Sequence, residues 1–165
     1  MVEHMPDSAC NKQRQEASLG LASLQEISRN PHLAASQVMA LLSTLRTADE
    51  ELRAWAADCL QLVTRPPQDV VPQLALACSD ACPPVAVWAC ILLGRLGEQA
   101  LPWQDALVVA LQQHDSLTVR QQAARALGQI TGIGAAALAA LEQATACNDP
   151  RLQRLATQAL ESVAR

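Results

Sequence analysis

Apolar and small side chains recur along this chain with a helical period, and the same pattern appears four times. In residues 119–130, VRQQAARALGQI, the apolar positions Val119, Ala123, Ala126, Leu127 and Ile130 have the spacing that gathers side chains on one helix face. With Val119 as motif position one, these are positions one, five, eight, nine and twelve. Elsewhere they read Leu52, Ala56, Cys59, Leu60 and Val63; then Val85, Ala89, Leu92, Leu93 and Leu96; then Leu152, Ala156, Ala159, Leu160 and Val163. All are apolar. The copies start 33, 34 and 33 residues apart (52 to 85, 85 to 119, 119 to 152), and a fixed period of this size marks a repeat array.

Each copy follows a polar or Pro-containing break: TADEE at 47–51, SDACPP at 79–84, HDS at 114–116 and NDP at 148–150. Asp can cap the helix that follows, and Pro is tolerated in a first turn. Before each break lies a second apolar segment, at 36–45, 69–78, 105–113 and 135–144, with Pro72 marking a start or bend in the second. The pattern predicts helix, turn, helix, four times, over about 32–64, 66–97, 100–131 and 134–165. Residues 13–28 carry Ala17, Leu21, Leu24 and Ile27 at helical spacing and read as an N-terminal capping helix, with 1–12 a flexible tail. Nine helices are expected and no strand, the second helix of each pair starting near 50, 83, 116 and 150. The small residue at position five lets paired helices approach closely. In the last copy Thr157 and Glu161 replace Ala124 and Gly128, as a polar terminal cap requires.

Composition agrees. Half of the 165 residues are hydrophobic, yet Phe and Tyr are absent and only three Trp occur. An Ala/Leu-rich, aromatic-poor chain favours packed helices over sheets. The length suits one domain, 13–165. No apolar run could span a bilayer or serve as a secretory signal, so the expected address is the cytoplasm, with no membrane partner and six free thiols.

Ankyrin repeats need a TPLH-like turn and tetratricopeptide repeats need Tyr and Phe, which this chain lacks. The copy at 115–130, an Asp followed by VRQQAARALGQI, instead resembles HEAT-like repeats of the phycobilisome-lyase type, whose second helix reads D-x-x-V-R-x-x-A-A-x-A-L-G-x-I. The resemblance covers about 32–165 and implies an all-α, right-handed α-solenoid, an armadillo-like superhelix of about four helix pairs. It also implies Arg at the second position, pairing with acids along the stack. Here that position reads Arg53, Ala86, Arg120 and Gln153, so such a ladder is interrupted at every other rung. A fold of this kind does not assign a function.

The candidate chemistry is sparse. His4, His32 and His114 are scattered, there is no nucleophile elbow or phosphate-binding glycine pattern, and no His-Glu pair as in the iron-dependent helical-repeat hydroxylases. Cys78, Cys82 and Cys90 cluster, but their spacing fits no common zinc site; they read as buried structural thiols. No catalytic residue, metal or cofactor is expected, and the chain reads as a non-enzyme. The alternative is an accessory domain or subunit of an enzyme complex such as a phycobilin lyase. Nucleic acid is not expected: residues 66–113 hold one Arg against Asp69, Asp80, Glu98 and Asp105, and the C-terminal cations are interleaved with acids.

Protein recognition remains. Motif positions three, four, seven and eleven flank the core face. In the third copy they are Gln121, Gln122, Arg125 and Gln129, as on a solvated surface. In the second they are Val87, Trp88, Ile91 and Arg95, and in the first Ala54, Trp55, Asp58 and Leu62. Trp55, Val87, Trp88, Ile91 and Arg95 are therefore the candidate partner-binding residues, for a protein or peptide. Trp55 and Trp88 equally fit packing between repeats. Trp103, after Pro102, reads as junction packing. On the binding reading, Ile91→Arg abolishes partner binding at a cost of about 0.5 kcal/mol or less.

Overall fold

Asp49 and Asp149 show how the polar breaks become helix starts. In the computed structural model of the chain, which describes residues 19–164, each extends its carboxylate over the first turn of a helix and accepts the backbone N–H three residues on, Leu52 at 3.1 Å and Leu152 at 2.6 Å. The helices so begun are α4, Glu50–Gln61, and α10, Pro150–Val163. The other two motif helices are α6, Pro83–Arg95, with Pro in its first turn, and α8, Leu117–Leu127. All four starts lie within one residue of the expected ones.

The described residues form ten α-helices, two 3-10 segments and no strand. The first compact unit runs to Leu62 and the second from Val63. In the first, α1, Leu21–Arg29, packs on α4 through buried Leu24 and Ile27, as the capping-helix reading requires; residues 1–18 and Arg165 lie outside the described residues. One helix more than expected appears because α2, Pro31–Ser36, precedes α3, Val38–Thr44. Only Ala34 of α2 is buried, so no apolar stripe announced it; Pro31 at its start and the non-helical backbone at Gln37 delimit it. Thr44 is buried and satisfied twice, its hydroxyl donating to the Ala40 carbonyl and accepting from Leu19 N–H, both at 2.8 Å.

The second unit is three helix pairs. A 3-10 turn at Gln68–Val70 leads into α5, Val71–Ala77, with Pro72 in its first turn, which pairs with α6. The 3-10 segment Gly97–Trp103, with Trp103 half-buried at its end, leads into α7, Gln104–Gln113, which pairs with α8. Finally α9, Ala135–Thr145, pairs with α10. The second helices stack on one another, α6 on α8 and α8 on α10, while α7 stacks on α9. This is an α-solenoid. Gly97 and Gly132 take the left-handed backbone, φ of 57° and 75°, that the turns leaving α6 and α8 require.

The face formed by motif positions one, five, eight, nine and twelve is buried almost throughout. Of its twenty positions only Leu52, Leu160 and Val163 are half-buried, and the rest are buried. Another position sets how the pairs stack. At motif position ten, a Cβ on Gly94 would stand 3.1 Å from Ala126 Cα, and one on Gly128 only 2.7 Å from Ala159 Cα and Cβ. The glycine of one repeat therefore lies against the position-eight alanine of the next.

Gly128→Ala is accordingly expected to destabilise the protein by about 1–3 kcal/mol, although alanine is the better helix former, because Ala159 presents backbone at the clash. Denaturant unfolding measures it; an unchanged or raised midpoint would refute the contact.

Candidate functional site

The stacked helices α6, α8 and α10 leave clefts between them, and motif positions four, seven and eleven line these. The first, about 250 Å³, is bounded by Trp88, Ile91 and Arg95 from α6 and by Gln122, Arg125 and Gln129 from the next repeat, with Ala126 below. The second, about 400 Å³, repeats the arrangement with Arg125, Gly128 and Gln129 facing Leu155, Gln158 and Ser162, over Ala159. The floors are the alanines that the glycines contact. The two clefts share Arg125 and Gln129 in their linings.

Of the residues singled out from sequence, Trp88, Ile91 and Arg95 come together in the first cleft. All three are half-buried, so the apolar anchors are partly covered rather than freely exposed. Arg95 lies over the Trp88 ring, its guanidinium carbon 5.8 Å from the ring centre, and donates to the Val63 carbonyl. Burial lowers the Arg95 pKa from its ordinary value without discharging a group this basic. Val87 is half-buried outside the cleft lining, and Trp55 is half-buried on α4 of the first unit.

In the third copy one expectation is corrected. Gln121 is not a solvated residue: it is 7% exposed, and its amide donates to Asp149 Oδ1 at 3.0 Å. The cap of α10 offers a carboxylate lone pair beside α8, and Gln121 satisfies it. The other three are placed as expected on the groove side, Arg125 and Gln129 exposed and Gln122 half-buried.

The motif's second position has a role that residue type alone concealed. Arg53 donates to the Thr47 carbonyl at 3.0 Å, Arg120 to Leu111 at 2.9 Å and Gln153 to Cys147 at 2.6 Å. Each satisfies a carbonyl near the end of the preceding helix of its own pair, where helical partners run out. Charge is not required for this, which is why Gln153 can stand where the resemblance implied Arg. The glutamines joining one repeat to the next work alike: Gln68 donates to Gln99 at 2.7 Å, Gln112 to Gln143 at 3.3 Å, and Gln104 accepts from Gly134 N–H at 2.7 Å.

His32 is exposed on α2, and His4 lies outside the described residues. His114 Nδ1 accepts from Ser116 N–H at 3.0 Å, so Nε2 carries the proton toward the Asp80 carbonyl, also at 3.0 Å. Both ring nitrogens thereby hold loops together. Among the described residues no three His, Cys, Asp or Glu side chains converge so as to hold a metal ion. Cys78 and Cys90 are fully buried, and a hydrogen bond between them, with burial, pushes the Cys78 thiol well above its ordinary pKa. Burial first, then the charge of Asp58, raises Cys59, whose thiol donates to the Leu24 carbonyl at 3.4 Å. No described helix is long and apolar enough to cross a membrane.

Residues 71–161 match the family model described as HEAT repeats, over more than half of the sequence. Three crystal structures of engineered proteins from the Northeast Structural Genomics Consortium are similar in fold. One is 22% identical with a TM-score of 0.51, the match covering 80% of this chain and 64% of that one. A second is 21% identical with a TM-score of 0.53, covering 98% and 77%. A third is 23% identical with a TM-score of 0.51, covering 90% and 41%. The chain thus spans less than two thirds of the first of these proteins, and at such identities the likeness is one of fold alone. No curated protein matches the sequence.

Thiolate, not thiol, reacts with alkylating and disulfide reagents, so the buried and raised thiols should be inert. Timed labelling with a disulfide reagent, read by peptide mass spectrometry, is expected to modify half-buried Cys82 and Cys147 in the native protein and Cys59, Cys78 and Cys90 only on unfolding. Rapid native labelling of Cys78 or Cys90 would contradict the packing of α5 against α6.

Proposed function

This chain belongs to the HEAT repeat family, and from that premise we propose that it is a non-enzymatic scaffold that binds another protein in the groove over α6, α8 and α10. Solenoids of this kind offer extended surfaces rather than catalytic pockets. The observation that carries the reading is the contrast between equivalent positions. Where the third copy has Gln122 and Arg125, the second has Trp88 and Ile91, lining the same cleft. The stack tolerates polar groups there, so stacking alone does not call for the apolar pair. A half-buried Trp beside a branched aliphatic, rimmed by Arg95, Arg125 and two glutamines, has the make-up of an interface anchor with a polar rim. Trp55 on α4 and Val87 on α6 extend the candidate set without lining this cleft.

The test is Ile91→Arg. Half-burial makes its cost about 1 kcal/mol, half the value of a fully buried aliphatic side chain and above the 0.5 kcal/mol expected of a surface position. Proteins retained by the tagged wild-type chain should be lost by the variant at least tenfold, by quantitative mass spectrometry, while thermal melting shows only this modest destabilisation. A loss of several kcal/mol would make Ile91 core, and unchanged retention would remove the groove from the interaction.

A further inference from the structure

We infer that His114 is a pH-operated link between the second and third repeats: neutral, it ties their loops together, and charged, it releases them. The place it occupies is set by the repeat. In and just after α3 the chain buries Val38, Leu41, Leu42 and Leu45; α5 buries Val71, Leu74 and Ala75, with Cys78 just after it; α9 buries Ala137, Ala140, Leu141 and Ala144. Helix α7 follows the same spacing with Leu107, Ala110 and Leu111, and the fourth place falls to half-buried His114. Only this copy puts there a side chain that changes charge near neutrality.

The two ring nitrogens have opposite duties. Nδ1 accepts from Ser116 N–H and Nε2 donates to the Asp80 carbonyl, both at 3.0 Å, and the second bond crosses from the third repeat to the second. Only a neutral ring with its proton on Nε2 makes both, because Nδ1 must be bare to accept. A second proton would set Nδ1–H against Ser116 N–H, two donors at hydrogen-bond distance with no acceptor between them. Ser116 is also the N-cap of α8, so the new charge would stand at the positive end of that helix.

The surroundings give a charged ring somewhere to go. A recess of about 360 Å³ opens beside it, lined by Ser79, Ala81 and Val109 among others, and exposed Asp115 brings a carboxylate to its edge. The other charged or titratable groups on the packed elements are occupied. The Asp80 carboxylate accepts from Cys82 N–H at 2.9 Å, Cys78 pairs with Cys90, and Arg120 is held at the Leu111 carbonyl. Cys82, the N-cap of α6, adds a half-buried thiol. Protonation therefore exchanges the two bonds of the link for an ion pair outside it. Histidine charges as pH falls from about 8 to about 5, so the link is whole at the upper end and released at the lower. The repeats it joins are those whose α6 and α8 bound the first cleft.

The experiment is a nuclear magnetic resonance titration of the whole chain from about pH 7.5 to about pH 5, following imidazole nitrogens, backbone amides and the contacts of the His114 ring. At the upper end the ring should carry its proton on Nε2 alone and show nuclear Overhauser contacts to Asp80 and Ala81. As it charges, those contacts should be lost, and the Ser116 and Ala81 amides should shift with the midpoint of the ring itself. His114→Gln supplies an accepting oxygen and a donating amide but no titrating group, so in that variant both amides should stay still. A ring that charges while keeping its contacts to Asp80 would overturn the link as a switch. A ring still neutral at about pH 5 would do the same, and both results come from the wild type alone. Amides that shift equally in His114→Gln would assign the change to another group.

Discussion

The contact between a glycine at motif position ten and an alanine at position eight of the next repeat is the constraint on which the second unit depends. A Cβ on Gly94 would crowd Ala126 at 3.1 Å, and one on Gly128 would clash with Ala159 at 2.7 Å. Helices that touch this closely cannot carry large side chains at the point of contact, so bulk moves outward along the flank. Positions four, seven and eleven then stand on either side of a shallow lane whose floor is the same alanines. Packing and groove are two consequences of one pair of small residues.

Close stacking also determines where polar groups find partners. Side chains at position two reach back to carbonyls at the end of the preceding helix, while Gln121 and Asp149 link one repeat to the next. Among the described residues no buried side-chain nitrogen or oxygen lacks a partner. An unsatisfied buried polar group costs about 1–3 kcal/mol, so the stack avoids a penalty that would offset part of its apolar burial.

The fold was largely legible from the chain, because a helical period repeated every 33 or 34 residues constrains both helix faces and helix starts. Helix α2 was not: a short element burying only Ala34 leaves no stripe. Of the site, Trp88 and Ile91 were legible as departures from the polar third copy, since substitution within a repeat shows what the scaffold does not need. The floor of the groove was not, because Gly94 and Gly128 announce flexibility or close approach equally well until the neighbouring alanines are in place. The carboxylate-free lining escaped notice for a related reason. In sequence Asp115, Asp149 and Glu161 interleave with the arginines, and only the fold shows that none of them lines the clefts.

The most direct test of the groove is a nuclear magnetic resonance titration of the whole chain, labelled at isoleucine methyls and glutamine side-chain amides, with a protein retained by the tagged chain. If the lane over Ala126 and Ala159 is the binding surface, the Ile91 methyl and the Gln122, Gln129 and Gln158 amides should shift together with one saturation curve, while Ile133 and Gln112 stay still. Shifts confined to Gln112 and Gln143, on the first helices of their pairs, would contradict it.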